Sequence, residues 1–127
     1  HFIRTVIYPH PFISPEIDQI HVSEVHPQDG ILIFSAEQLL LSHLNIKKYF
    51  NPALYEWCKI YVEFRKIEVQ LTNDFIIEKL ENLFDDVHYN DILLWMGREA
   101  LAFDALALYV SLIDESSISE NYFKDQV

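Results

Sequence analysis

The apolar positions change period near Ser35, and the change divides the chain into two kinds of structure. Before it, Phe2 to Tyr8 is rich in strand formers. Pro9, Pro11 and Pro15 then hold the next stretch extended, because proline fixes φ and keeps its predecessor out of the helical region. Ile17 to Val25 places Ile20, Val22 and Glu24 on one alternating face, and Gly30 to Phe34 is a short apolar strand. Between them His26-Pro27-Gln28-Asp29-Gly30 carries turn chemistry, so the two strands are expected to form a hairpin.

From Ser35 the spacing is helical. Ser35 with Gln38 three residues on reads as a capping box, followed by an inward face of Leu39, Leu40, Leu44 and Ile46 and an end near Phe50. Asn51-Pro52 pairs an N-cap residue with proline at the first helical position, where its missing N–H costs nothing. The helix expected from Pro52 to Leu71 has Trp57, Ile60, Tyr61, Phe64, Ile67 and Leu71 on its apolar face. Glu56, Lys59, Glu63, Lys66 and Gln70 lie opposite, alternating in sign at helical spacings. A strand over the same residues would break its apolar phase at Arg65-Lys66. Thr72 or Asn73 can cap a shorter helix over Asp74 to Asp85, with Ile76, Leu80, Leu83 and Phe84 inward. Asn90 can cap a last helix from Asp91 to about Asp114, apolar nearly all round and therefore buried, in the core or against another chain. The fold class expected is α+β, a small N-terminal sheet of two or three strands followed by about four helices. Residues 1–115 form one domain and 116–127 a flexible tail.

Composition sharpens this picture mainly through charge. Twenty Asp and Glu face nine Lys and Arg among 127 residues, a net charge of −11, and the excess is segregated. Residues 1–30 sum to −3, residues 31–72 to +1 and residues 73–127 to −9. Such a distribution repels phosphate backbones, so nucleic acid is not an expected partner, and it attracts basic protein surfaces. Two glycines exclude Gly-rich phosphate loops, and no apolar run is long enough for a bilayer. A lone Cys58 forms no internal disulfide and fits the cytoplasm or another reducing compartment.

The sharpest candidate surface is acidic: Glu78, Glu81 and Asp85 at helical spacing, then Asp86 and Asp91, with Tyr89 and Trp95 as aromatic anchors. The expected function is non-catalytic binding, with inhibition or shielding of a basic protein partner. Toxin-neutralising immunity proteins and nucleic-acid mimics offer an analogy in size and acidity alone. The alternative is an assembly domain that self-associates through the 91–114 helix, and a metal-dependent nuclease comes third. The nuclease reading needs Glu63, Lys66 or Glu68 on a strand, with Asp29 upstream. Glu99 falls within the apolar stripe of the last helix and would be a functional carboxylate if buried. Glu24 and His26 can share a face, whereas His21 and His26, an odd number apart, should not. No histidine or carboxylate set has metal-ligand spacing, so no metal, cofactor or catalytic residue is expected.

Overall fold

The computed structural model describes residues 4–114; the expected tail at 116–127 lies outside them, as do Phe2 and Ile3. Three strands come first, β1 (Arg4–Tyr8), β2 (Ser23–His26) and β3 (Ile31–Ser35), in the sheet order β1-β3-β2. The β2–β3 pair is the expected hairpin, antiparallel with Ser23 opposite Phe34 and His26 opposite Ile31. Its turn is closed by the Gly30 N–H on the Pro27 carbonyl at 3.2 Å, with Gly30 at φ 67°. β1 joins β3 in parallel, Arg4 opposite Ile31 and Tyr8 opposite Ser35. The Pro-rich segment between β1 and β2 crosses the sheet end and is pinned by a β-bridge between Phe12 and His21 and by the Glu37 N–H on the Pro9 carbonyl. The strand expected over Ile17–Val25 is shorter than its pattern suggests: it starts at Ser23, and Ile20 is exposed.

Five helices follow, α1 (Ala36–Leu44), α2 (Pro52–Arg65), α3 (Asn73–Asn82), α4 (Tyr89–Met96) and α5 (Phe103–Ile113), so the architecture is α+β. The caps read from sequence hold at three starts. Ser35 accepts from the Gln38 N–H, Asn51 from the Leu54 N–H and Thr72 from the Phe75 N–H. The Ser35 box is only half made, because the Gln38 amide turns inward and donates to the Phe50 carbonyl at 2.8 Å. At α4 the cap is His88, not Asn90, with the Asp91 carboxylate accepting the His88 N–H.

Three expectations about the helices need correction. α1 stops at Leu44 rather than Phe50, and Leu40, Leu44 and Ile46 face outward while Gln38 and Ser42 are buried. α2 ends at Arg65, because Lys66 takes a left-handed φ of 55° and the Ile67 N–H closes back onto the Val62 carbonyl. The single last helix is two helices: Gly97, at φ 65°, ends α4, and the Arg98 N–H bonds the Leu93 carbonyl in a left-handed helix stop. α5 restarts only at Phe103.

The core lies where α2 and α3 pack on α5, with Ile92 and Met96 of α4 joining the same cluster. Leu106 and Val110 are fully buried as expected, while Trp95 and Phe103 are half-buried at the margin. Ala105 and Ala107 are also buried, and small side chains let neighbouring helices approach α5 closely. Phe50 stacks on Tyr109 with ring centroids 4.6 Å apart, and the Tyr109 hydroxyl accepts the Asn51 N–H at 2.9 Å, tying the start of α2 to α5.

Candidate functional site

Three features of this fold bear on function: the acidic α3–α4 face, two buried carboxylate networks, and an apolar groove between α2 and α5.

The expected acidic residues divide into two groups. Glu78, Asp85 and Asp86 are exposed. Glu81 and Asp91 are partly consumed by the fold: Glu81 accepts the Tyr89 N–H at 2.8 Å and Asp91 accepts the His88 N–H. Tyr89 serves structure as well, its hydroxyl accepting the Leu101 N–H and its ring lying against Phe103. Trp95 stacks on Tyr49, centroids 6.3 Å apart. The face is thus carried by its outer acids, with the nearby aromatics turned to packing.

Glu99 is not a buried carboxylate. Gly97 ends α4 before it, so Glu99 sits exposed in the α4–α5 connection rather than on a helical stripe. The buried carboxylates are Glu24 and Glu56, which sequence reasoning placed on a mixed face and a polar face. Glu56 lies on the inner side of α2, where its Oε2 accepts from Arg98 Nη2 at 2.6 Å and from the Ser23 hydroxyl at 3.1 Å. One carboxylate thereby joins α2, the α4–α5 connection and β2. The available signal was Arg98 itself, a rare base in the acidic segment.

Glu24 is buried on β2, on the sheet face opposite to that of Ser23 and turned to the Pro-rich crossover. Its Oε1 accepts from the Ser14 hydroxyl and lies 2.9 Å from His21 Nε2, and its Oε2 lies 2.6 Å from His26 Nε2. The two histidines meet one carboxylate because His21 precedes the regular strand, so the alternation rule does not apply to the pair. The other His21 nitrogen, Nδ1, faces the Gln19 carbonyl at 2.8 Å and must donate, since a carbonyl only accepts. The His21–Glu24 contact therefore holds a further proton between its two partners. Glu16 approaches the same cluster, with ligand atoms of Glu16, Glu24 and His26 within 4.8 Å of one another. Both Glu24 oxygens are already engaged by protein donors, so the cluster works as a polar clasp between the Pro-rich crossover and the sheet.

Burial pushes the Glu24 carboxyl up, but the hydrogen bonds from Ser14, His26 and His21 outweigh it and hold the group below its ordinary value of 4.5. A carboxylate depressed on folding contributes stability above its unfolded value and loses it as pH falls through the folded one. Stability should therefore drop as pH falls below about 4.5, because protonating Glu24 weakens its bonds with Ser14, His26 and His21. Glu24→Gln should flatten the acid limb of a plot of unfolding free energy against pH. An unchanged acid limb would assign the loss to other carboxylates.

The groove is the feature read with the wrong sense. Trp57, Tyr61 and Phe64 share one face of α2, as the spacing implies, but that face is outward: they are 56, 38 and 80% exposed. The inward face is Tyr55, Cys58 and Val62. Beside the aromatic row, Leu54 and Cys58 of α2 and Leu108 and Leu112 of α5 line an open groove of about 550 Å³. Cys58 lies at its floor, and burial raises its thiol to about 12, so at neutral pH it is a packed thiol rather than a nucleophile. The nuclease constellation is not formed, because Glu63 and Lys66 stand on and just after α2, and Glu68 is exposed in the connection beyond.

Compared with protein-family models, curated proteins and solved structures, the chain matches none of them. Among the described residues no helix is long and apolar enough to cross a membrane. No buried side-chain nitrogen or oxygen among them lacks a hydrogen-bond partner.

Proposed function

We propose that this chain is a non-catalytic binding domain that docks a basic protein surface on the acidic α3–α4 face, inhibiting or shielding that partner. The observation that supports this most directly is the fate of the bases in the same stretch. From Asn73 to Asp114 the chain has nine acids and only Lys79 and Arg98 as bases. Arg98 is spent on buried Glu56, and Lys79 lies over the Phe75 ring, 5.3 Å from its centroid. Glu78 and Asp85 are exposed and form no ion pair among the described residues, and Asp86 faces only the exposed His88 ring, 3.9 Å from its Nε2. Exposed charges of this kind steer encounter and exclude wrong partners more than they add affinity. The buried ionisable groups point the same way: Glu24, Glu56, Tyr55 and Tyr109 are all committed to internal bonds.

A lysine-rich peptide, immobilised, provides the test. Association of the wild-type chain should be fast at low salt and weaken steeply as ionic strength rises past ~0.15 M, where the Debye length is about 8 Å. Glu78→Lys with Asp85→Lys should slow association by about tenfold or more and flatten its salt dependence, with the fold intact. Equal association rates and equal salt slopes for the two proteins would refute this reading of the face. The assembly reading is favoured by a separate observation, the exposed aromatic row on α2.

A further inference from the structure

We infer that the α2–α5 groove is the seam of a two-fold symmetric homodimer, each copy of the chain seating its Phe64 ridge in the groove of the other. This goes beyond the acidic face, which lies on different elements, and the two surfaces succeed or fail independently.

The first argument is area. With aromatic side chains presenting ~150–250 Å² each, the exposed parts of Trp57, Tyr61 and Phe64, together with Leu112, amount to roughly 400–500 Å². A soluble monomer seldom leaves so much contiguous apolar surface uncovered unless it is used. A stable protein interface buries about 800 Å² per partner, and in homodimers about 65% of it is apolar, which is roughly 500 Å². The exposed patch is therefore the size of one side of a standard dimer.

The second argument is shape and charge, and it selects a second copy as the occupant. A two-fold interface uses the same patch on both partners, so the patch must carry both a ridge and a recess to receive it. Here the aromatic row is the ridge, and the groove beside it is the recess. Among the described residues the groove is lined by no charged side chain, and Lys59 and Glu63 border a separate hollow between α2 and the sheet, so no like charges are forced together in the seam. A two-fold axis passing near Tyr61, with the two α2 helices antiparallel, sets Phe64 of each copy opposite Cys58 at the groove floor of the other. The pairing is then made twice by symmetry. The location also matters for a chain of net charge −11: α2 belongs to residues 31–72, the one stretch that sums to +1, so two copies meet where their mutual repulsion is least. Self-association was expected through the 91–114 helix; the structure leaves only α5 to contribute, through Leu108 and Leu112.

Sedimentation equilibrium of the full chain over a concentration series tests this. The wild-type mass should rise from 15.0 kDa to a plateau at twice that value. Phe64→Glu places a charge in the seam without touching the core, and should hold the mass at the monomer value with an unchanged circular dichroism spectrum. Leu44→Glu, at an exposed apolar site on α1, should dimerise like the wild type. The inference is overturned by a wild-type mass that stays monomeric up to ~1 mM, beyond which a Kd has little meaning for a specific dimer. It is equally overturned by a mass that climbs without a plateau, or by a Phe64→Glu dimer as tight as the wild type. None of these outcomes alters the result expected with the lysine-rich peptide.

Discussion

Glu56→Ala should lower the stability of this domain by about 3–5 kcal/mol, the range for breaking one partner out of a buried ion pair. The size of the effect is set by burial. An exposed Arg–Glu pair is worth about 0–1 kcal/mol because water screens it and the side chains lose freedom in making it. Glu56 is only 2% exposed, and its partner Arg98 is largely covered, so the surface figure does not apply. Removing the carboxylate strands the guanidinium in a poorly solvated site and leaves the buried Ser23 hydroxyl without its acceptor. Three elements lose their shared anchor in one substitution. Urea denaturation is the measurement: the midpoint should fall with little change in slope. Glu56→Met combined with Arg98→Leu should recover much of the loss, since replacing both charges by apolar groups removes the desolvation cost along with the attraction. A loss below about 1 kcal/mol for Glu56→Ala would mean that water reaches the pair and that it behaves as a surface bridge.

Gly97→Ala is the second large effect, about 2–5 kcal/mol, and it arises from two causes. Gly97 has φ 65°, a left-handed conformation that costs an L-residue roughly 1–2 kcal/mol. An added Cβ would also lie 2.9 Å from both His21 Cβ and Ile17 Cγ2, closer than carbon atoms approach without displacement. Overpacking of this kind typically costs a further 1–3 kcal/mol. Ile17→Ala removes one of the two obstacles, so Gly97→Ala should be less damaging in that background than in the wild type. The difference is the coupling energy of a double-mutant cycle. If the substitution costs the same in both backgrounds, Ile17 contributes nothing to the loss, which then comes from backbone strain and the His21 contact.

Much of the architecture was legible because local signals and burial agreed. The change from alternating to helical spacing at Ser35, the Pro27–Gly30 turn and the Asn51-Pro52 start each appear where the sequence puts them. What failed was the direction in which α1 and α2 face. Both carry apolar residues on two sides, and side-chain size favours the wrong one: Trp57, Tyr61 and Phe64 are bulkier than Tyr55, Cys58 and Val62. The choice is made by the neighbour, since α5 offers small Ala105 and a Tyr109 ring that accept the second set, and by Arg98, which makes an inward Glu56 tolerable. Neither fact is local to α2. Glu99 was misplaced for a different reason. A single glycine inside an apolar run reads as a weak spot in a helix, whereas Gly97 stops it, because the His21 side chain occupies the space that any larger residue there would need. That Glu78, Asp85 and Asp86 are exposed was legible in the sequence, because charge segregation needs no knowledge of packing. The roles of Glu81, Asp91 and Tyr89 depend on hydrogen bonds to loop N–H groups, which only the folded chain defines.

The parallel edge strand has a consequence for the order in which the molecule assembles. β1 is exposed at four of its five positions, and it is held chiefly by backbone bonds to β3. Its partner lies beyond the whole Pro-rich crossover and the β2–β3 hairpin, so the entropy of closing that loop is spent with little apolar burial in return. The hairpin and the helices therefore define the slowest-exchanging amides, and β1 docks last and opens first. An opening confined to β1 uncovers the outer edge of β3 while leaving the α2–α5 core shut, which makes the margin of the sheet a separate cooperative unit from the helical body.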